Sequence, residues 1–499
     1  MNIKRKDSGI HIHSVKYNFV MNVILKISQY IFPLITLPYI TRTLGAVGNG
    51  KVAFATSVIT YFSMFAQLGI PSYGVRECAR CRDNKDKLTK TVQELIMINS
   101  ISVLLSYLLL VISILTVEKL QEEPLLLIIN SLTILLNMLG MEWLYQSLEQ
   151  YQYITIRNIA FKILSVILMF LLVHNPDDYI VYGSLTVLSS GGSYIMNFLN
   201  SRKILEHKLY LGQYDLKKHI KPILTFFALS VAVSIYTSMD TVMLGFIAGD
   251  EQVAFYSLST KIKMVLASTI SALGPVLLPR ITYCLSHGQE KKFQGYIEKS
   301  MHFVLLLSIP VTIYFIVMAP QAIDILGGSE YKPAVACMQI ITLAVVPLGI
   351  GNIACSQILT PMGKEKLTMY STIFGAVINF GANMMLIPFM GAAGAALATV
   401  IAESIIACVQ IHYVWNEVRT VVKKMPFFKL GIANALAFAV LETFLKVVKI
   451  SNPFVDMVAA VIVFFGIYAL ILILTKDSLV YQYGINYLRK MWEKHKYRD

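Results

Sequence analysis

Residues 92–116 read VQELIMINSISVLLSYLLLVISILT. A run this apolar, at about 1.5 Å of helix rise per residue, covers the roughly 30 Å of hydrocarbon in a bilayer. Working outward by hydropathy and breaker residues, comparable spans are predicted at 17–40, 52–73, 124–145, 153–174, 179–200, 222–247, 253–279, 300–319, 334–358, 368–388, 391–414, 427–447 and 455–475. Composition agrees: 56% of the 499 residues are hydrophobic and 14% charged, with a mean hydropathy of +0.63. Soluble chains run to about 45–50% apolar and about 25% charged. A soluble enzyme is excluded. So is an outer-membrane barrel, because strands alternating out and in are absent, and the scarcity of charge leaves no room for a long disordered tail. The expected fold class is an all-α integral membrane protein with about 14 transmembrane helices.

A net charge of +14 would suggest nucleic acid in a soluble chain, but here it first has to be tested against loop topology. Of 43 Lys and Arg, 33 fall in the termini and alternate loops on one side, six on the other, and four (Lys26, Lys162, Lys261, Lys263) within spans. Basic loops stay on the cytoplasmic side, so both termini of this multi-pass protein are placed there, with no nucleic-acid partner expected. The basic N-terminus precedes an apolar stretch of full membrane thickness with no small-residue cleavage site, and is read as a retained first span. Residues 476–499 alternate basic and apolar side chains, which fits an amphipathic cytoplasmic tail or a plain solvated helix. Cys78 and Cys81 form a lone CxxC without a second ligand pair, and His11 and His13 are as weak, so no metal and no cofactor are expected. Neither a phosphate-binding loop nor an HExxH motif occurs, which argues against ATP hydrolysis and metalloprotease chemistry. Any work the protein does would draw on an ion gradient, the membrane potential or substrate supply.

Leu44-Gly45, Val52-Ala53-Phe54, Gly69, Pro71 and Arg76 return as Leu244-Gly245, Val253-Ala254-Phe255, Gly274, Pro275 and Arg280, with spacing nearly kept. Spans 7 and 8 thus repeat spans 1 and 2. Because six spans separate the copies, two six-helix lobes related by a pseudo-two-fold along the membrane normal are expected. The lobes are predicted at 1–210 and 211–420, with two extra helices in 421–475 that have no partner in the repeat. Such repeats belong to alternating-access transporters.

At these residues the chain resembles a family. LPYITRTLGAVGNGKVAFATSVITYFSMFAQLGIPSYGVRECAR (37–80), MEWLYQSLEQYQYITIRNIAFKI (141–163), SMDTVMLGFIAGDEQVAFYSLSTKIK (238–263) and PVLLPR (275–280) are similar to the Wzx-type flippases of the multidrug/oligosaccharidyl-lipid/polysaccharide (MOP) superfamily, which export O-antigen and capsular polysaccharide units. The resemblance implies a transporter, not an enzyme. It would move an undecaprenyl-diphosphate-linked oligosaccharide from the cytoplasmic to the outer leaflet, with the bilayer and other polysaccharide-assembly proteins as partners. Two alternatives are a cation-coupled multidrug exporter, which should carry a carboxylate in the first lobe's spans, and a membrane polysaccharide polymerase or ligase, which should carry a large, arginine-rich outer loop.

Lysines facing lipid at the bilayer centre would cost about 2.5–3.5 kcal/mol each, so those within spans should face water or a partner. Lys26 and Lys162 lie at one depth and suggest a loading site for a diphosphate, with Arg76 and Arg157 nearer the mouth; snorkelling to the interface is the rival account. Lys263 is a further candidate for the cavity wall. Asp240 and Lys261 match in depth and suggest an ion pair, while Glu403, halfway through its span, is either a lysine's counter-ion or a titrating coupling group. Pro33, Pro38, Pro275 and Pro279 should kink their helices, as gating hinges or as static packing. Tyr145, Tyr151 and Tyr153 near Trp143 could stack on sugar, but an aromatic belt at the inner interface is the favoured reading.

Overall fold

The computed structural model describes residues 15–206, 208–210, 212 and 214–481. The basic N-terminus, His11, His13 and the tail beyond 481 lie outside the described residues. All regular structure among the described residues is helical. In chain order the helices begin α1 (Val15–Gln67), α2 (Ile70–Cys81), α3 (Lys85–Thr116), α4 (Glu118–Gln121), α5 (Pro124–Gly140), α6 (Glu142–Ser147), α7 (Tyr151–Leu172), α8 (Tyr179–Val187), α9 (Ser193–Ile204) and α10 (Lys217–Ile247). They continue as α11 (Asp250–Ile270), α12 (Leu273–Ser286), α13 (Glu290–Val317), α14 (Ala319–Gly327), α15 (Ala334–Thr342), α16 (Val345–Asn352), α17 (Glu365–Tyr413), α18 (Trp415–Lys424), α19 (Phe427–Val447) and α20 (Pro453–Leu474).

Every predicted span falls on helix. Among the described residues, nine helices are long and apolar enough to cross a membrane, and two of these, Val20–Cys81 and Glu365–Tyr413, each hold two predicted spans. They bend at Gly45 (φ 67°) and Gly391 (φ 53°), in the left-handed region where a Cβ is penalised. The stretches 179–200, 222–247 and 253–279 are helical too, the first interrupted by a π-helical turn at Leu188–Gly192 and the third by the break before α12.

The breaks within α1 and α17 fall at glycine rather than at proline. The backbone of α1 stays helical through Pro33 and Pro38 and breaks at Gly45 instead. Pro275 occupies the third position of α12, where its missing N–H has no intrahelical partner to lose; only Pro279 lies deeper in that helix. The break also resets the register of the repeat. Gly249 shares the positive φ of Gly45, whereas Gly245, its sequence match, sits inside α10 with no room for a Cβ against the Phe54 ring.

Two compact units result, residues 1–254 and 255–499. In the first, α1 packs on α3, α5, α7 and α10, around a core that includes Ile70, Leu95, Leu144 and Ile154. In the second, α13 packs on α12, α15, α16 and α18. The two extra helices are not loosely attached there: α19 and α20 pack on α13, and Leu441, Phe464 and Leu472 belong to the same core as Ile297 and Met301. Outward surfaces are apolar, as at Leu104 on α3 and Met385 on α17, both 72% exposed.

Candidate functional site

The first unit contains a polar track inside an apolar bundle. On α1, Thr56, Thr60, Ser63 and Gln67 recur at helical spacing and so share one face. Asn130, Thr133 and Asn137 do the same on α5, which packs against α1. Thr56 Oγ1 donates to Asn130 Oδ1 (3.3 Å), while Asn137 Nδ2 (3.4 Å) and Gln67 Nε2 (3.0 Å) both donate to Ser63 Oγ. The Thr56–Asn130 and Asn137–Ser63 bonds tie α1 to α5, and the Gln67–Ser63 bond lies within α1.

Two cavities open along this track and share Asn137. The larger, about 370 Å³, is walled by these hydroxyls and amides other than Gln67, with Ile59, Thr186 of α8 and Ser190 of the π-helical turn. The smaller, about 160 Å³, adds Asn99, Glu142, Trp143, Gln146 and Tyr194. From Thr56 to Gln67 the track runs roughly 16 Å at about 1.5 Å per residue. Hydroxyls and amides carry both donors and acceptors, so the track suits a neutral polar guest rather than an ion. Sequence reasoning missed it by following charges; the signal was there, as polar residues at positions i, i+4, i+7 and i+11 of an apolar span.

The predicted cations do not line these cavities. Arg157 comes nearest. Its side chain is 2% exposed, its Nη2 lies 3.4 Å from Glu142 Oε2, and the guanidinium stacks on the Tyr153 and Tyr194 rings at 5.6 and 5.5 Å. It therefore stands one layer behind a wall that Glu142 and Tyr194 form, and its Nε and Nη1 are buried without a hydrogen-bond partner. Lys162 faces α1, where its Nζ donates to Ser28 Oγ (3.1 Å) and lies 5.8 Å from the centre of the Phe32 ring. Lys26, two residues from Ser28 and so about 200° around the helix, is exposed. The two ammonium groups thus do not share a face. Arg76 is exposed and stacks on Tyr73 and Phe226 at 5.4 and 5.0 Å.

Asp240 is buried on α10. In the second unit, Lys261 and Lys263 are half-buried on α11 and Glu403 is buried on α17. The aromatic belt is also corrected: Trp143 and Tyr145 are core residues, Tyr145 donating to the Asn197 carbonyl (2.6 Å) and stacking on Tyr153 at 5.2 Å. A tyrosine whose hydroxyl finds a buried carbonyl has no need of the interface. Cys78 and Cys81 are free thiols.

Two further charged clusters, not singled out from the sequence, brace the unit. Glu94 on α3 is fully buried and accepts from Lys218 Nζ (2.8 Å) and the Asp215 N–H (2.9 Å), with His219 Nε2 at 2.9 Å. His219 Nδ1 in turn meets the Tyr73 hydroxyl at 2.7 Å, tying α2, α3 and α10 together. At the opposite end of the helices, Lys51 donates to Glu123 (2.6 Å), which also accepts from Tyr179 (2.8 Å). Lys119 there meets Glu122 (2.5 Å) and Asp250 (3.4 Å).

An all-helical, multi-pass bundle with a polar track through its first unit defines a membrane transporter. Residues 15–284 match the model of the polysaccharide biosynthesis protein family, and the chain belongs to that family. Residues 226–385 match the MatE model as well. The chain is 24% identical over 398 residues to a candidate O-antigen transporter of Shigella dysenteriae, covering 79% of this chain and 98% of that one. A second candidate O-antigen transporter, from Escherichia coli K12, is 22% identical over 81% of this chain and 97% of its own. Among solved structures, the lipid II flippase MurJ in an inward closed conformation superposes with a TM-score of 0.73 at 17% identity, covering 92% of this chain and 99% of that one. An inward-facing multidrug resistance MATE transporter of the MOP superfamily gives 0.63 at 13% identity, covering 82% and 99%. These two likenesses establish the fold.

Proposed function

We propose that this protein flips a lipid-linked oligosaccharide across the bacterial inner membrane for surface polysaccharide assembly, the lipid being undecaprenyl diphosphate and both termini cytoplasmic. The observation that carries the reading is the neutral track of hydroxyls and amides in the first unit of a polysaccharide-biosynthesis family member. A glycan needs a dense set of mixed donors and acceptors to leave water, since a polar group moved to an apolar surrounding without a partner costs several kcal/mol. Its anionic anchor needs cations close by, and Arg157 behind the smaller cavity and Lys162 between α7 and α1 are the first unit's best placed. The protein performs no covalent chemistry in this reading. It supplies a polar passage and leaves the lipid tail in the bilayer.

A cation-coupled exporter on the same fold calls for a carboxylate open to a guest in the first unit. Glu142, in the wall of the smaller cavity, is such a carboxylate, but Arg157 pairs with it from behind, and Glu94 is fully buried and enclosed by three donors, which favours a bracing role for both. The flippase reading is tested in cells lacking the gene, where lipid-linked repeat units should accumulate on the cytoplasmic face and surface glycan should fall. Lys162→Ala and Arg157→Ala should each reduce export at unchanged protein abundance, and Lys26→Ala should reduce it less. Normal surface glycan in the deletion strain would overturn the reading.

A further inference from the structure

Resting on the flippase reading, the lining of the two cavities also bears on which glycans pass. The larger cavity has no charged side chain in its wall. The smaller has one, Glu142, already neutralised from behind by Arg157. The lysines of the surrounding helices stand outside both walls: Lys162 faces Ser28 on α1, Lys51 pairs with Glu123, and Lys119 pairs with Glu122 and Asp250. An acidic sugar entering here would find no cation in either wall to pair with its carboxylate and, in the smaller cavity, would meet Glu142, and both effects oppose it.

The amides point to what is favoured. Gln67, Asn99, Asn137 and Gln146 converge on the smaller cavity. Within the protein Asn99 donates to the Ala66 carbonyl (2.7 Å) and Gln146 to Glu142 (3.3 Å), while Gln67 and Asn137 bond Ser63 as described above. Each of these bonds uses one N–H of a group that has two N–H donors and an acceptor oxygen. An acetamido substituent presents the complementary N–H and C=O. A site built to hydrogen-bond such a group discriminates against a sugar lacking it more sharply than an apolar pocket discriminates by size. We infer that the first unit's cavities select uncharged, amide-bearing sugars, and that acidic glycans are rejected there.

The test uses the full-length protein in proteoliposomes with two probes: undecaprenyl diphosphate carrying a disaccharide of N-acetylglucosamine, and the same lipid carrying a disaccharide in which one sugar is glucuronic acid. Translocation is read as the fraction of glycan accessible to an added glycosidase. The acetamido probe should cross about ten-fold faster than the uronate probe. Thr60→Arg, which puts a cation on an exposed position of the larger cavity's wall, should erase or reverse that ratio. Thr133→Lys on α5 offers the same change from another helix should the first variant not fold. Equal rates for the two probes, or faster passage of the uronate, in the unsubstituted protein would overturn the selectivity while leaving the flippase reading intact. Movement of neither probe would overturn both.

Discussion

Asp477, three residues past α20, shows what a single side chain decides. It is fully enclosed, with Oδ2 2.8 Å from His302 Nε2 on α13 and Oδ1 accepting the Leu479 and Val480 N–H groups at 3.0 and 3.3 Å. Burial pushes its carboxyl up, but the His302 contact and the two backbone donors outweigh that and hold it below the ordinary value of 3.8. A carboxyl whose folded pKa lies below its unfolded one contributes stability that is complete above the unfolded value and is lost as pH falls through the folded one. Between about pH 5 and about pH 3, the thermal midpoint of the unsubstituted protein should therefore fall more steeply than that of Asp477→Asn. Parallel slopes would show that the carboxylate does not contribute in this way. Glu94 teaches the complementary lesson. In the sequence it is one acid at the edge of an apolar run, and only the approach of Lys218, His219 and the Asp215 N–H makes it a buried, braced charge.

At the scale of elements, the close approach of α1 to the turn that opens α11 depends on Gly50. A Cβ there would come within 2.6 Å of the Asp250 carbonyl carbon, so Gly50→Ala must push the two apart. Overpacking against backbone costs about 1–3 kcal/mol, whereas a partly exposed ion pair such as Lys119 with Asp250 contributes about 0–1 kcal/mol. In detergent, Gly50→Ala should accordingly lower the melting temperature by more than Lys119→Ala does; the opposite order would mean the ion pair, not the backbone fit, holds this end. The same scale explains the hinges. A proline announces a lost hydrogen bond, yet a long helix can continue past it, while the left-handed backbone at Gly45 and Gly391 turns the chain outright. The polar stripe on α1 was periodic and therefore legible, but a stripe becomes a cavity only when a second stripe, on α5, faces it.

On the level of the whole molecule, the second unit does not end with the repeat. Tyr314 on α13 donates to the Met457 carbonyl (2.8 Å), Tyr468 on α20 to the Leu306 carbonyl (2.9 Å), and Gln321 on α14 to Asp456 (2.9 Å). A chain stopped after residue 426 would expose the face of α13 that α19 and α20 cover and strand these partners. Such a truncation should reach the membrane at sharply reduced abundance, measured by immunoblot against the full chain; full abundance would make the two helices dispensable to the unit's stability.

The sequence by itself determined that this is a polytopic helical membrane protein of the flippase type and where its helices run. These properties are local or additive: hydropathy sums along a window, and a family's blocks are strings of neighbours. Which polar groups meet was decided only by the tertiary structure. Counting residues puts Lys26 and Lys162 at one depth, yet they do not share a face, and Arg157 lies behind the wall rather than in it. Depth follows from counting residues, whereas facing depends on the rotation of one helix against another, which the packing of all of them sets together.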